Sequence, residues 1–144
     1  MNVAAPYSGV CACGEVTARI SGEPIATRQC WCRQCQKAAG GGPATNAIFR
    51  TDDVALSGAL ASNGYVAASG NGYTQCYCPA CGTPVMAQIA ERPGVRVIRF
   101  GFLTPGHGLA PEAVIWTSEA PAWAVLDPAL PHHAEGAPAA VPKA

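Results

Sequence analysis

Charge is the scarcest feature of this sequence. Only 12% of the 144 residues are Asp, Glu, Lys or Arg, about half the share of roughly 25% usual in soluble domains. Nine basic residues balance nine acidic ones. Nucleic-acid binding is driven by concentrated positive charge, so that class of partner is excluded. Long apolar runs are missing too. No charged residue lies between Val54 and Ala90, but Gly, Ser, Asn, Thr and Pro break that stretch throughout. Nothing approaches the ~18 consecutive apolar residues of a membrane span. Met1–Val10 carries neither the basic region nor the apolar core of a secretory signal. The expectation is a soluble, cytoplasmic protein with reduced thiols. Aromatic side chains are few, and Ala supplies a large part of the hydrophobic residues, so bulky core formers are limited.

Gly, Pro and Cys are plentiful. Sixteen Gly and thirteen Pro favour short strands and turns over long helices. The length suits one domain, expected over residues 1–130, followed by a loose Pro/Ala-rich tail over residues 131–144. Segments of β-branched and aromatic residues between breakers predict strands at Tyr7–Cys13, Val16–Ile20, Ile25–Cys30, Thr45–Phe49, Val54–Ser57, Tyr73–Cys78, Val85–Ile89 and Val95–Gly101. Arg33–Ala39 is the one compact helix candidate, closed by Gly40. Leu60–Ala68 has helical propensity, but its glycines favour strand or loop. The fold class expected is mainly β: a small domain stapled by metal, with at most one or two short helices.

Eight cysteines fall into three clusters: Cys11-Ala12-Cys13, Cys30-Trp31-Cys32-Arg33-Gln34-Cys35 and Cys76-Tyr77-Cys78-Pro79-Ala80-Cys81. Cys78 and Cys81, followed by Gly82, read as a zinc knuckle, because the two-residue gap turns both sulfurs towards one centre. A closed tetrahedral site needs two more ligands. Cys11 and Cys13 are the best pair, since residues at i and i+2 of a strand share a face. Cys30, Cys32 and Cys35 offer three ligands and leave a fourth position open, the pattern of a catalytic metal that is lost more readily than a structural one. Closure of that site by one more protein ligand is the structural alternative. Arg28, Arg33 and Lys37 surround this motif, with no acid between Glu23 and Asp52. They would favour thiolates and an anionic ligand, with a solvated surface role the leading alternative for each. Trp31 is expected to line a substrate pocket, and Trp116 and Trp123 to form core or cleft walls. His107, His132 and His133 are expected at the surface. Cys76 is expected to be a buried apolar thiol outside both metal sites.

The frame Gly9-x-Cys11-x-Cys13-Gly14-x-Val16, then Cys30-x-Cys32-x-x-Cys35-x-Lys37-x-x-Gly40, then Cys78-Pro79-x-Cys81-Gly82-Thr83 resembles the glutathione-dependent formaldehyde-activating enzyme family, also called the centromere protein V family. The resemblance runs over roughly residues 7 to 130 and includes Pro111, Ile115, Trp116 and Trp123. Trp31 stands where many members carry His, and Gln36 where many carry Arg. The resemblance implies a zinc-stapled β-tent fold with two metal sites. It places Cys11, Cys13, Cys78 and Cys81 on a structural zinc and Cys30, Cys32 and Cys35 on a catalytic one. The implied activity is a carbon–sulfur lyase run in the synthetic direction, joining glutathione to formaldehyde as S-(hydroxymethyl)glutathione, with Trp31, Arg33 and Lys37 beside the substrate. A non-catalytic partner-binding or chaperone-like module of the same fold is the competing class.

Overall fold

The structure is a computed structural model, and it describes residues 5–138. Ten strands follow in chain order: β1 (Tyr7–Val10), β2 (Thr17–Ile20), β3 (Ala26–Cys30), β4 (Ala44–Arg50), β5 (Val54–Ser57), β6 (Ala61–Val66), β7 (Gly72–Tyr77), β8 (Pro84–Ile89), β9 (Val95–Arg99) and β10 (Ala113–Ile115). A single α-helix, α1 (Arg33–Ala39), sits between β3 and β4, and three short 3-10 turns complete the chain. The mainly β expectation holds. Gly40 ends α1 in the left-handed conformation at φ 80°, the stop that only glycine adopts freely.

The strands form two sheets. One has the order β1-β2-β5, and the other β10-β3-β4-β9-β8-β7-β6. Most neighbours are antiparallel, but β10 runs parallel to β3, with Ile115 opposite Cys30. Between the sheets lie Tyr7, Val16, Ile20, Phe49, Val85, Ile98 and Phe102, all buried. Alternation then divides the large sheet. On β4, Phe49 enters that core while Ile48 points the other way; on β9, Ile98 enters it while Val95 and Val97 oppose it. Ile25, Ile48, Ala87, Ile89, Val95 and Val97 make a second apolar cluster on the opposite face.

Several sequence expectations are corrected. Cys11 and Cys13 do not extend β1, which ends at Val10; they lie in a turn before β2. Phe100–Phe102 leaves β9 as a 3-10 turn. Leu60–Ala68, by contrast, follows the expectation of strand or loop: it contains β6, hairpinned onto β7. The strand β10 has too few residues to announce itself in the pattern. The chain beyond Pro131 is held rather than loose as far as residue 138: Val114 donates to the Pro131 carbonyl, His133 to Val114, Trp116 to Glu135 and Ser118 to Ala134. The rest of the predicted tail lies outside the described residues.

Gly58 closes the β5 end at φ +101°, and a Cβ there would sit 2.2 Å from the Glu15 carbonyl oxygen. Conformation and space both demand glycine. Gly58→Ala is expected to destabilise the fold by about 2 kcal/mol or more, read as a shift in the urea midpoint.

Candidate metal and thiol site

Two groups of thiols converge. The sulfurs of Cys11, Cys13, Cys78 and Cys81 all lie within 4.8 Å of one another, and so do those of Cys30, Cys32 and Cys35. The first group is built from two matching turns. Cys11 N–H donates to the Val16 carbonyl and Gly14 N–H to the Cys11 carbonyl. In the other turn, Cys78 N–H donates to Thr83 and Gly82 N–H to Cys78. Gly14 and Gly82 both have positive φ, at 85° and 78°, so each chain reversal depends on glycine. Thr83 links the turns: its hydroxyl accepts from Ala12 N–H at 3.1 Å and lies 3.2 Å from the Cys81 sulfur.

The sulfur spacing fits a metal ion. Cys11 and Cys13 sulfurs are 3.6 Å apart, and those of Cys13 and Cys78 are 3.7 Å apart. Tetrahedral zinc with bonds of about 2.3 Å requires sulfurs about 3.8 Å apart. Hydrogen bonds from the Thr83 side chain and backbone lower the Cys81 thiol to about 5. A backbone hydrogen bond from Glu15 lowers Cys13, but desolvation and its bonds to Cys11, Cys78 and Cys81 outweigh it, leaving it at about 12. Cys13 and Cys81 are thus pushed in opposite directions, as expected of thiols crowded together, and a cation between them would favour both thiolates.

The second group stands at the junction of β3 and α1. Cys30 ends β3, and Cys32 is the N-cap of α1, its sulfur accepting from Cys35 N–H at 3.4 Å. Gln36, one turn into the helix, donates to the Trp31 carbonyl at 2.6 Å and to the Glu119 carbonyl at 3.0 Å, locking the motif against the 3-10 turn Thr117–Glu119. All three thiols are buried. Hydrogen bonds from Cys30 and then Cys35, with help from backbone N–H groups, lower Cys32 to about 3 against its burial. Cys30 is pushed up, first by its hydrogen bonds to Cys32 and Cys35 and then by burial. Cys35 is lowered by its bond with Cys30, but Cys32 and burial carry it up to about 11. The shifts run in opposite directions, so the three thiols resist ionising together. A positive partner would let all three ionise, which is the donor chemistry of a metal site. Among the described residues, no fourth Cys, His, Asp or Glu joins the trio.

A cavity of about 280 Å³ opens onto these cysteines. Its floor is the second face of the large sheet: Arg28 and Cys30 from β3, Asn46 and Ile48 from β4, Val97 and Arg99 from β9. Tyr65 and Tyr73 form one wall, stacked with centroids 5.9 Å apart. Burial raises both hydroxyls, Tyr65 to about 12, so they stay protonated. Ile89, Arg92, residues 67–69, Asn71, Ile115, Trp116 and residues 136–137 complete the lining. Trp116 takes φ 57°, a left-handed conformation costly for a bulky side chain. It follows β10, and its N–H is held by the Glu135 carbonyl.

The structure brings together all seven cysteines of the two predicted ligand sets and leaves other expectations apart. Trp31 does not line the cavity. It alternates with Cys30 and Cys32, so it faces the other way, buried and packed edge-on against Trp123 at 5.9 Å. Arg33 and Lys37 are exposed on α1 and are not among the cavity residues. Arg33 instead bonds Gln36. Trp116 is a cleft wall, as expected. Cys76 is buried in the main core and belongs to neither thiol group. No histidine joins them; His107 packs against Phe100 and His132 bonds the Asp127 carbonyl. Arg99 and Asn46 escaped the sequence reading. The available signal was a charge in phase with Val95 and Val97 along one strand face.

Fold and site define a β-rich protein with two thiol clusters able to hold metal ions, one closed and one opening to a cavity. The model of the family described as glutathione-dependent formaldehyde-activating enzyme matches residues 6–119, and the chain belongs to that family. A crystal structure of a Rhodobacter sphaeroides protein is similar, with a TM-score of 0.54 and 21% identity, over 72% of this chain and 91% of that one. That likeness concerns the fold. No match is found among curated proteins. No helix among the described residues is long and apolar enough to cross a membrane.

Metal analysis of single variants checks the two clusters. After incubation with zinc the wild type is expected to hold two ions per chain, and Cys11→Ser and Cys32→Ser one each. Cys11→Ser should also destabilise the fold by about 3 kcal/mol or more, because its cluster joins two distant turns; elemental analysis and thermal melts read both effects.

Proposed function

We propose that this protein is a zinc-dependent carbon–sulfur lyase-type enzyme that adds a thiol, glutathione, to formaldehyde or a similar small carbonyl compound, giving an S-hydroxymethyl adduct. The observation that carries this reading is the cavity ending on Cys30, Cys32 and Cys35, with no fourth protein ligand among the described residues. The family's description supplies the substrate pair. Cys11, Cys13, Cys78 and Cys81 would hold the structural zinc, and Cys30, Cys32 and Cys35 the catalytic one. Zinc at the second site would supply a fourth position where a thiol is held and loses its proton at neutral pH.

The chain's own residues then do the rest. Cys30, Cys32 and Cys35, fixed by the β3 end and the α1 cap, would hold the metal at the deep end of the cavity. Arg28, half-buried on the floor, offsets negative charge and faces an anionic substrate. The Tyr65–Tyr73 wall and Trp116 exclude water from the reacting carbon. In the reaction a carbon–sulfur bond forms, the carbonyl π pair moves to oxygen, and that oxygen regains the proton lost by the thiol. The non-catalytic module remains the alternative, but it calls for a closed second site.

Exchange NMR of glutathione and formaldehyde with the zinc-loaded protein tests this. Exchange should accelerate at least about tenfold, some 1.4 kcal/mol off the barrier. Cys32→Ser should return it to background while the other zinc remains. Unaccelerated exchange with both zinc ions bound overturns the reading.

A further inference from the structure

The register of the large sheet places three side chains in one row. Arg28 is opposite Asn46, and Asn46 is opposite Arg99. All three line the cavity floor, beside Cys30 and next to the apolar row of Ile48 and Val97. Arg28, on the outer strand, is half-buried and spends a guanidinium N–H on the Pro138 carbonyl at 2.9 Å. Arg99 differs. It is only 7% exposed, and among the described residues its guanidinium donates from Nη1 to the side-chain oxygen Oδ1 of Asn46 at 3.0 Å. Its Nε is buried without a partner. Among the described residues, no carboxylate pairs with it.

A buried cation without a counter-ion is costly, and breaking an existing pair would leave just such a group. Asn46 fixes the plane of the guanidinium but offers no negative charge. The planar fork suits two oxygens of one anion, and the cavity gives that anion access.

We propose that Arg99, oriented by Asn46, is the oxyanion-binding element of the cavity, holding a carboxylate or alkoxide borne by the carbon that is joined to the thiol sulfur. The place of the sulfur rests on the proposed function; the anion preference stands on the row itself. When the thiolate adds to a carbonyl, the π pair becomes an alkoxide on that carbon, within the same region. A carbonyl compound with an adjacent carboxylate, such as a 2-oxo acid, would present its carboxylate there. Arg99 is thus the residue expected to set which small carbonyl compound is accepted.

Calorimetric titration of the zinc-loaded protein with mercaptoacetate and with its methyl ester tests the element. Wild type should prefer mercaptoacetate by about tenfold or more. Arg99→Gln should abolish that preference while binding the ester within about threefold of wild type, a selective change that loss of structure would not produce. Arg99→Lys, which keeps charge but not the fork, should fall between them. Asn46→Ala should weaken the preference without removing the charge. Equal binding of the two thiols by wild type, binding of neither, or an undiminished preference in Arg99→Gln overturns the proposal. If Arg99→Gln does not fold, the wild-type comparison and Asn46→Ala decide. Exchange of glutathione with formaldehyde and with glyoxylate separates the sources: an Arg99-dependent rate on formaldehyde assigns the alkoxide, and one on glyoxylate alone the carboxylate. A mercaptoacetate preference without any accelerated exchange would leave the element standing and remove the proposed reaction.

Discussion

Gathering thiolates is electrostatically unfavourable, and the structure is organised around that repulsion. Four sulfurs from two turns, and three from a strand end and a helix cap, meet at spacings that like charges would resist. A cation at either cluster would convert repulsion into a cross-link. At the first it would join the turn before β2 to the turn between β7 and β8, fastening the small sheet to the large one. At the second it would join β3 to α1, where the buried thiols define the deep end of the cavity. Such cross-links would lessen the need for bulky side chains in the core.

The same alternation that buries the core also builds the site. Along β3, Arg28 and Cys30 face the cavity; along β9, Val97 and Arg99 do so, while Ile98 packs between the sheets. A strand interior thus carries charge on one face because that face is a chamber rather than a core. The parallel strand β10 adds the remaining constraint, bringing Ile115 opposite Cys30 and Trp116 to the rim.

How much of this was legible follows from range. Cysteine spacing is local, so both ligand sets could be read from the chain, as could the glycine-dependent turn at Gly82 and the stop at Gly40. Strand periodicity marked most of the sheet. What remained hidden depends on register between distant segments. Trp31 sits inside the thiol motif, yet its place between Cys30 and Cys32 turns it away. Arg33 and Lys37 are near in sequence but ride the outer side of α1. Arg99, some sixty positions further along, reaches the cavity because β9 pairs with β4 in one particular alignment. The segment after Pro131 looked unstructured because its order comes from backbone bonds to β10, which no side-chain pattern records.

The cavity's rim and its metal-ligand end come from different parts of the chain. The thiols sit on a strand end and a helix cap, whereas residues 67–71, Trp116 and residues 136–137 belong to connections far from them in sequence. Connections tolerate insertion and exchange better than the elements they join. Ligand choice can therefore drift by rebuilding the rim, with the metal-holding scaffold untouched. A single thiolate framework could in this way serve many small-molecule partners, and shared cysteines alone would be a poor guide to a shared substrate.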